Sequence, residues 1–266
     1  MQIAVVGHGA IGAAVLGMLQ NQGRVQVGWV VVSQLRESVL QAVRKTAPGA
    51  QVVTALPLEA RPDCIVECAG HAAVEQHVLP ALERGVQAIV TSIGAISAPG
   101  MLEKLEAAAA RGQTQVQLVS GAIGGMDALA AARLGGLDAV VYTGRKPPLA
   151  WLGTPAEQCC DLVALQEAVC IFEGSAREAA QLYPKNANVA ATISLAGLGL
   201  DRTQVRLFAD PSVSENLHQW VAQGVFGQME VQMRGRAMAG NAKTSALTAF
   251  SVVRAVLNRV ALVRIG

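Results

Sequence analysis

Hydrophobic positions along residues 1–120 fall into two alternating rhythms. Short runs dense in Val, Ile and other apolar residues, at 3–6, 25–32, 51–54, 64–68, 86–91 and 116–119, have the length and composition of buried strands. Between them apolar side chains recur at helical spacing, as in Ile11, Val15, Met18 and Leu19 and again in Val74, Val78, Ala81 and Leu82. Gly23 and Gly85 follow these two stretches, where a helix C-terminus favours glycine. Strand and helix in alternation predict a parallel sheet covered by helices on both faces, built from successive βαβ units.

The pattern changes at Gly121-Ala122-Ile123-Gly124-Gly125. After a short helical stretch, residues beyond Leu137 alternate apolar with polar, as half-buried antiparallel strands do. Residues 205–208 read as a strand, and 217–222 can pair with 229–233 across a turn at 224–227. The chain then returns to helical period, with Asn241 as N-cap and Leu247, Phe250, Val253 and Leu257 on one face. An apolar stripe of that length must be covered, which predicts that the last helix packs on the first domain. The expected organisation is α/β: a doubly wound parallel-sheet domain over 1–120, completed by a C-terminal helix within 241–266, and an α+β domain with a mainly antiparallel sheet over 121–240.

Composition narrows the function classes. Of 266 residues, 52% are hydrophobic and 15% charged, enough to build one large core or two moderate ones. The net charge of +2, from 21 basic and 19 acidic residues scattered along the chain, offers no basic stripe to nucleic acid or to an anionic bilayer. The charge-free stretches 1–23 and 85–102 are interrupted by Gln, His, Ser, Thr, Pro and Gly, so no membrane-spanning segment is expected. The N-terminus has no basic region before its apolar run and does not read as a signal peptide; a cytoplasmic protein is expected. The five cysteines (Cys64, Cys68, Cys159, Cys160 and Cys170) lack the paired spacings of a metal site or a disulfide framework and read as reduced core residues.

The first chemical signal is Gly7-His8-Gly9-Ala10-Ile11-Gly12, a G-x-G-x-x-G between the first predicted strand and helix. Gly7 makes the tight turn, Gly9 admits a pyrophosphate to the backbone, Gly12 lets the helix pack closely, and the N–H groups around Ala10 and Ile11 face the phosphates. This is the fingerprint of a Rossmann domain, with NAD or NADP as cofactor. Many NAD sites carry Asp or Glu at the tip of the second strand, about 20 residues on. Here that tip is Val32-Ser33-Gln34, with no carboxylate before Glu37 and with Arg36 able to meet a 2′-phosphate, so NADP is expected as well as NAD. Cys68-Ala69-Gly70-His71 and Thr91-Ser92-Ile93-Gly94-Ala95 follow later strands and should line the same crevice. His71 suits a helix start, and His8 a surface position.

The second domain has a single histidine, His218. Histidine titrates nearest operating pH, which suits a group that takes and returns a proton. In a strand, Asn216, His218 and Trp220 share one face, so a polar residue and a histidine would project together toward the cleft. On spacing alone a structural histidine is the commoner reading.

At this point the chain resembles the L-aspartate dehydrogenases nearly end to end. The resemblance lies in residues 7–12, Ser120 through Asp127, Pro184-Lys185-Asn186-Ala187-Asn188-Val189-Ala190, Ala209-Asp210-Pro211 with Asn216 and His218, Phe226-Gly227, and Asn241-Ala242-Lys243-Thr244-Ser245. It implies that His218 is the active-site residue, that Ala122 and Asn188 contact the nicotinamide cofactor, and that the protein is a homodimer acting on L-aspartate, oxaloacetate and ammonia in support of pyridine-nucleotide biosynthesis. Two substrate carboxylates need cationic or N–H partners. Lys185 with Asn186 is the first expectation, and Lys243, Thr244 and Ser245 follow; each reads equally well as a solvated lysine or a helix cap. Three rivals share the glycine loop: a homoserine-dehydrogenase-like enzyme, a sugar dehydrogenase, and a non-catalytic dinucleotide sensor. The loop Ser92-Ile93-Gly94-Ala95 lacks the lysine that sugar dehydrogenases of this layout resemble one another in, and no DNA-binding helix pair accompanies a sensor.

Overall fold

The computed structural model describes residues 1–184, 187–238 and 241–265, and for residues 237 and 241–244 the backbone alone. It divides into two compact units: residues 1–121, 238–244 and 248–266, and residues 122–237 with 245–247.

The first unit is the α/β layer structure that the alternation predicts. Strands β1 (Gln2–Val6), β2 (Gln26–Val31), β3 (Gln51–Val53), β4 (Cys64–Glu67), β5 (Gln87–Val90) and β6 (Val116–Leu118) form one sheet in the order β3-β2-β1-β4-β5-β6. All its pairings are parallel. Helices α1 (Ala10–Leu19), α2 (Glu37–Thr46), α3 (His71–Ala73), α4 (Leu79–Glu83) and α5 (Met101–Arg111) make the connections, with a π-turn at Val74–Val78 joining α3 to α4. The chain leaves β1 toward β2 on one side and β4 continues toward β5 on the other, so the switch point of this doubly wound sheet lies between β1 and β4.

The second unit carries helix α6 (Met126–Gly135), strand β7 (Leu137–Lys146), strand β8 (Val169–Ser175), helices α7 (Ala176–Leu182) and α8 (Ala187–Ala196), and strands β9 (Gln204–Ala209), β10 (Asn216–Gly224) and β11 (Gly227–Gly235). The sheet order is β11-β10-β7-β9-β8; β7 and β9 run parallel and the other neighbours antiparallel. The expected hairpin is β10 and β11, closing at Gly224 opposite Gly227. Register places Val140, Tyr142, Gly144 and Lys146 of β7 on one face with Val205, Leu207 and Ala209 of β9 and His218, Trp220 and Ala222 of β10. Helices α6, α7 and α8 pack on this sheet, and every one of these residues except Lys146 is buried.

The C-terminal segment corrects the sequence reading. Asn241 does not cap a helix: Asn241–Ser245 is strand β13, paired with β12 (Ala237–Met238), and helix α9 (Ala246–Leu257) begins only after Ser245. Ladder hydrogen bonds satisfy this backbone, so helix formation waits five residues. The expected stripe is also rotated: α9 buries Ala249, Val252, Val253, Ala255 and Val256, whereas Phe250 is 55% exposed. Ala249, Val252, Val253 and Val256 join the core of Val5, Val15, Leu16, Val30 and Val66, where small side chains allow close approach to the sheet. Nor are the cysteines uniformly core residues. Cys64 and Cys68 are buried, but Cys159 and Cys170 are exposed on the second unit.

Candidate active site

In the first unit the expected cofactor residues converge. Gly7 leaves β1 with φ of +96°, and a Cβ there would stand 2.8 Å from Ala69 Cα and from the Cys68 carbonyl oxygen. A Cβ on Gly12 would fall 2.1 Å from the Gly7 carbonyl oxygen. These two glycines are required by the protein's own packing. Gly9 differs, because a Cβ there would meet nothing within 4 Å. It caps the N-terminus of α1, where no side chain bonds the first turn and no acidic residue lies in it. The room at Gly9 and the bare helix N-terminus fit a dinucleotide pyrophosphate. Ala10 and Ile11 open α1, and Cys68 and Ala69 form the facing loop. Ser33 is exposed beyond β2, and the Arg36 guanidinium donates to Gln34 Oε1 at 2.9 and 3.2 Å, holding a cation at the same tip.

Sequence reasoning passed over Glu67, the last residue of β4. It is fully buried, and its carboxylate accepts five hydrogen bonds. Oε1 receives Ala69 N–H (2.7 Å), Gly70 N–H (2.8 Å) and the Ser92 hydroxyl (2.9 Å). Oε2 receives Ser92 N–H (2.9 Å) and Thr91 N–H (3.2 Å). One buried side chain thus ties the loops after β4 and β5 together, and the first of these is the floor against which Gly7 turns. The only trace in the sequence is an acid ending an apolar run.

In the second unit His218 is 5% exposed, on the helix-covered face of the sheet. Its Nδ1 lies 2.8 Å from Tyr142 Oη, and the two rings stack with centroids 6.0 Å apart. The contact depends on Gly144, the residue directly opposite His218 in the ladder. A Cβ on Gly144 would stand 2.7 Å from Tyr142 Oη and 3.2 Å from Leu207 Cδ2, so the missing side chain is the space into which the phenol leans. Burial, reinforced by the Lys146 charge, lowers the His218 pKa to about 4, and the imidazole is neutral at physiological pH. Burial raises the Tyr142 pKa above its ordinary value, so the phenol keeps its proton. Lys146 ends β7, and burial lowers its ammonium to about 8.

The remaining expected residues are placed unevenly. Ala122 lies in the segment that Gly124 and Gly125 pin to β10 and β11: Trp220 Nε1 donates to the Gly124 carbonyl at 3.1 Å, and Gly124 N–H donates to Met233 Sδ at 2.9 Å. Met233 is the ladder partner of His218, which brings this segment to the imidazole's end of the sheet. Asn188 sits in the first turn of α8. Ser245 Oγ is 3.5 Å from where a Cβ of Gly235 would stand, beside the start of β10. Lys185 and Asn186 lie outside the described residues, and for Lys243 and Thr244 only the β13 backbone is described.

Comparison with known proteins follows this division. Residues 7–118 match the family described as homoserine dehydrogenase, NAD binding domain, which with the sheet order and the glycine turn defines a dinucleotide-binding dehydrogenase. Residues 127–259 match the family described as aspartate dehydrogenase, C-terminal. The chain is 64% identical to the L-aspartate dehydrogenase of a Polaromonas species over 97% of each chain. It is 60% identical to that of Cupriavidus necator, again over 97% of each. The crystal structure of aspartate dehydrogenase from Thermotoga maritima matches with a TM-score of 0.79 at 26% identity, covering 100% of this chain and 99% of that one. The chain belongs to the aspartate dehydrogenase family, as the resemblance in its motifs indicated.

Proposed function

We propose that this protein catalyses the NAD(P)-dependent oxidative deamination of L-aspartate to oxaloacetate and ammonia, and the reverse reductive amination. The observation that carries the reading is the buried His218–Tyr142 pair, within the part of the chain that matches the aspartate dehydrogenase C-terminal family. The glycine turn and the loops held by Glu67 bind the dinucleotide, with Ala122 and Asn188 toward its nicotinamide; Arg36 and the uncharged Ser33 support use of NADP beside NAD. Bound NAD(P)⁺ supplies the hydride acceptor for the substrate Cα. His218, neutral at operating pH, takes at Nε2 the proton of the water that adds to the resulting imine carbon and returns it to the departing ammonia. That tautomer has Nδ1–H donating to Tyr142 Oη, which fixes the ring as the proton moves.

The protein acts in this reading as a cytoplasmic homodimer through its second unit, where Leu134, Val225 and Phe226 are exposed and Val225 N–H donates to the Gly136 carbonyl, gathering them at one end of the sheet. Among the described residues, no helix is long and apolar enough to cross a membrane. The test is a near-ultraviolet absorbance assay of L-aspartate, L-glutamate, L-homoserine and several sugars against both cofactors. Turnover is expected with L-aspartate, falling about a thousandfold in His218→Ala while NADH binding persists. Near-normal turnover in that variant would remove the assignment.

A further inference from the structure

We propose that Lys146 is the residue that receives a carboxylate of the substrate. The inference rests on the reading of His218 as the acid–base group of an amino-diacid oxidation, and it names a residue of that site which the sequence motifs do not mark. Lys146 follows Gly144 by two positions on β7, and Gly144 is the ladder partner of His218, so the Lys146 and His218 side chains leave the same sheet face from diagonal positions. Among the described strand residues paired in this sheet, Lys146 is the charged side chain that register places on that face. Its neighbour Arg145 points to the other face, where it bonds Asp210 at 3.1 Å and lies 4.2 Å over the Phe208 ring.

Lys146 is held with its ammonium 5.1 Å from the centroid of the buried Trp151 ring, and Asp210 N–H donates to its carbonyl at 2.9 Å. The indole packs against the stem and directs the cation. Burial disfavours the charged form of this ammonium, and an incoming carboxylate restores that stabilisation. The substrate brings two carboxylates to a buried base that carries no charge, and a desolvated carboxylate beside neutral groups alone is costly. Lys146 supplies a positive charge from the face on which the base sits, and it makes dicarboxylic amino acids the preferred substrate class over neutral ones.

The experiment compares wild type, Lys146→Met and Lys146→Arg. Methionine keeps an unbranched stem against Trp151, and arginine keeps the charge. Four constants are read with NAD present where needed: KM and kcat for L-aspartate, the Kd of succinate as an unreactive dicarboxylate by calorimetry, and the Kd of NADH by fluorescence. Lys146→Met is expected to raise the L-aspartate KM and the succinate Kd about thirtyfold or more. NADH binding should stay within about twofold, and Lys146→Arg should recover most of the succinate affinity. If Lys146 merely fills space on Trp151, Met preserves that contact and both constants stay near wild type, which overturns the proposal. Wild type that binds no succinate overturns it too. A wild type that fails to oxidise L-aspartate but binds succinate in a Lys146-dependent way would refute the reaction and retain the anion site.

Discussion

Replacing Glu67 by Gln tests how much of the dinucleotide site depends on one buried side chain. The two side chains are nearly isosteric, so no cavity forms and the change is one of hydrogen-bond sense. If the new amide group replaces Oε2, the N–H groups of Thr91 and Ser92 lose their acceptor and face another donor. If it replaces Oε1, Ala69 and Gly70 N–H are stranded, while the Ser92 hydroxyl can turn to accept. With Oε1 replaced the stranded donors are those of exposed Ala69 and half-buried Gly70 and cost less, whereas with Oε2 replaced the buried Thr91 and Ser92 N–H groups are left unsatisfied, at about 1–3 kcal/mol each, for a total of about 2–6 kcal/mol. That is a large share of the 5–15 kcal/mol that holds a typical domain folded. Urea unfolding should show the loss, and amide hydrogen exchange should accelerate at residues 69, 70, 91 and 92. Because the Cys68–Ala69 backbone is the floor of the Gly7 turn, the NADH Kd should rise about tenfold or more. A Glu67→Gln protein that loses under about 1 kcal/mol, with unchanged exchange at those amides, would refute the argument.

Three further outcomes follow from the same geometry. Gly9→Ala should leave the melting temperature within about 2 °C of wild type, since its Cβ meets no protein atom, yet weaken NADH binding about tenfold or more; Gly12→Ala, with its Cβ on the Gly7 carbonyl, should instead destabilise the fold, and equal effects of the two on stability would contradict the ligand-facing role of Gly9. Gly144→Ala should push Tyr142 off His218 at a cost of about 1–3 kcal/mol in stability and about tenfold in kcat, with NADH binding intact; an unchanged Tyr142–His218 contact in its crystal structure would count against this. The imidazole of His218 should show no titration by NMR above about pH 5. Because its folded pKa of about 4 lies below the ordinary 6.5, the unfolded chain binds that proton first, and up to about 3 kcal/mol of stability is lost as pH falls from 6.5 to 4; a titration midpoint near 6.5 would refute the burial argument.

What the sequence revealed, and what it hid, follows from the range of the interactions. The parallel sheet was legible because each buried strand announces itself by its own composition and each glycine of the turn by its spacing from the next. The parallel pairing of β7 with β9 was not, because alternation along one strand says which side chains share a face and nothing about the neighbouring strand's direction. Helix α9 was found, but its buried face was misjudged: hydropathy ranks Phe250 above Ala249, whereas close packing on the sheet selects the smaller side chain. Asn241 carried a helix-capping signal that pairing with β12 overrode. At the site, His218 stood out as the second unit's lone histidine. Tyr142 and Gly144 did not, since their roles arise from a register joining residues 76 positions apart. Lys146 looked like any strand-end lysine, and Glu67 like the polar end of a strand.

In the proposed reaction, these hidden residues account for how a histidine so deeply buried would serve as the base. A general base works best with a pKa near operating pH, and an imidazole at about 4 is too weak a base for that task. Two causes hold it there: loss of solvent, and the charge of Lys146. A substrate carboxylate seated on Lys146 cancels the second and adds a negative charge near the imidazole, and both effects move the pKa upward. Under the Lys146 proposal the base would be strengthened when an anionic substrate arrives and would be weak without one. A neutral amino acid of similar size leaves the Lys146 charge in place, so it loses both binding and basicity. Discrimination against it should therefore appear in kcat as well as in KM.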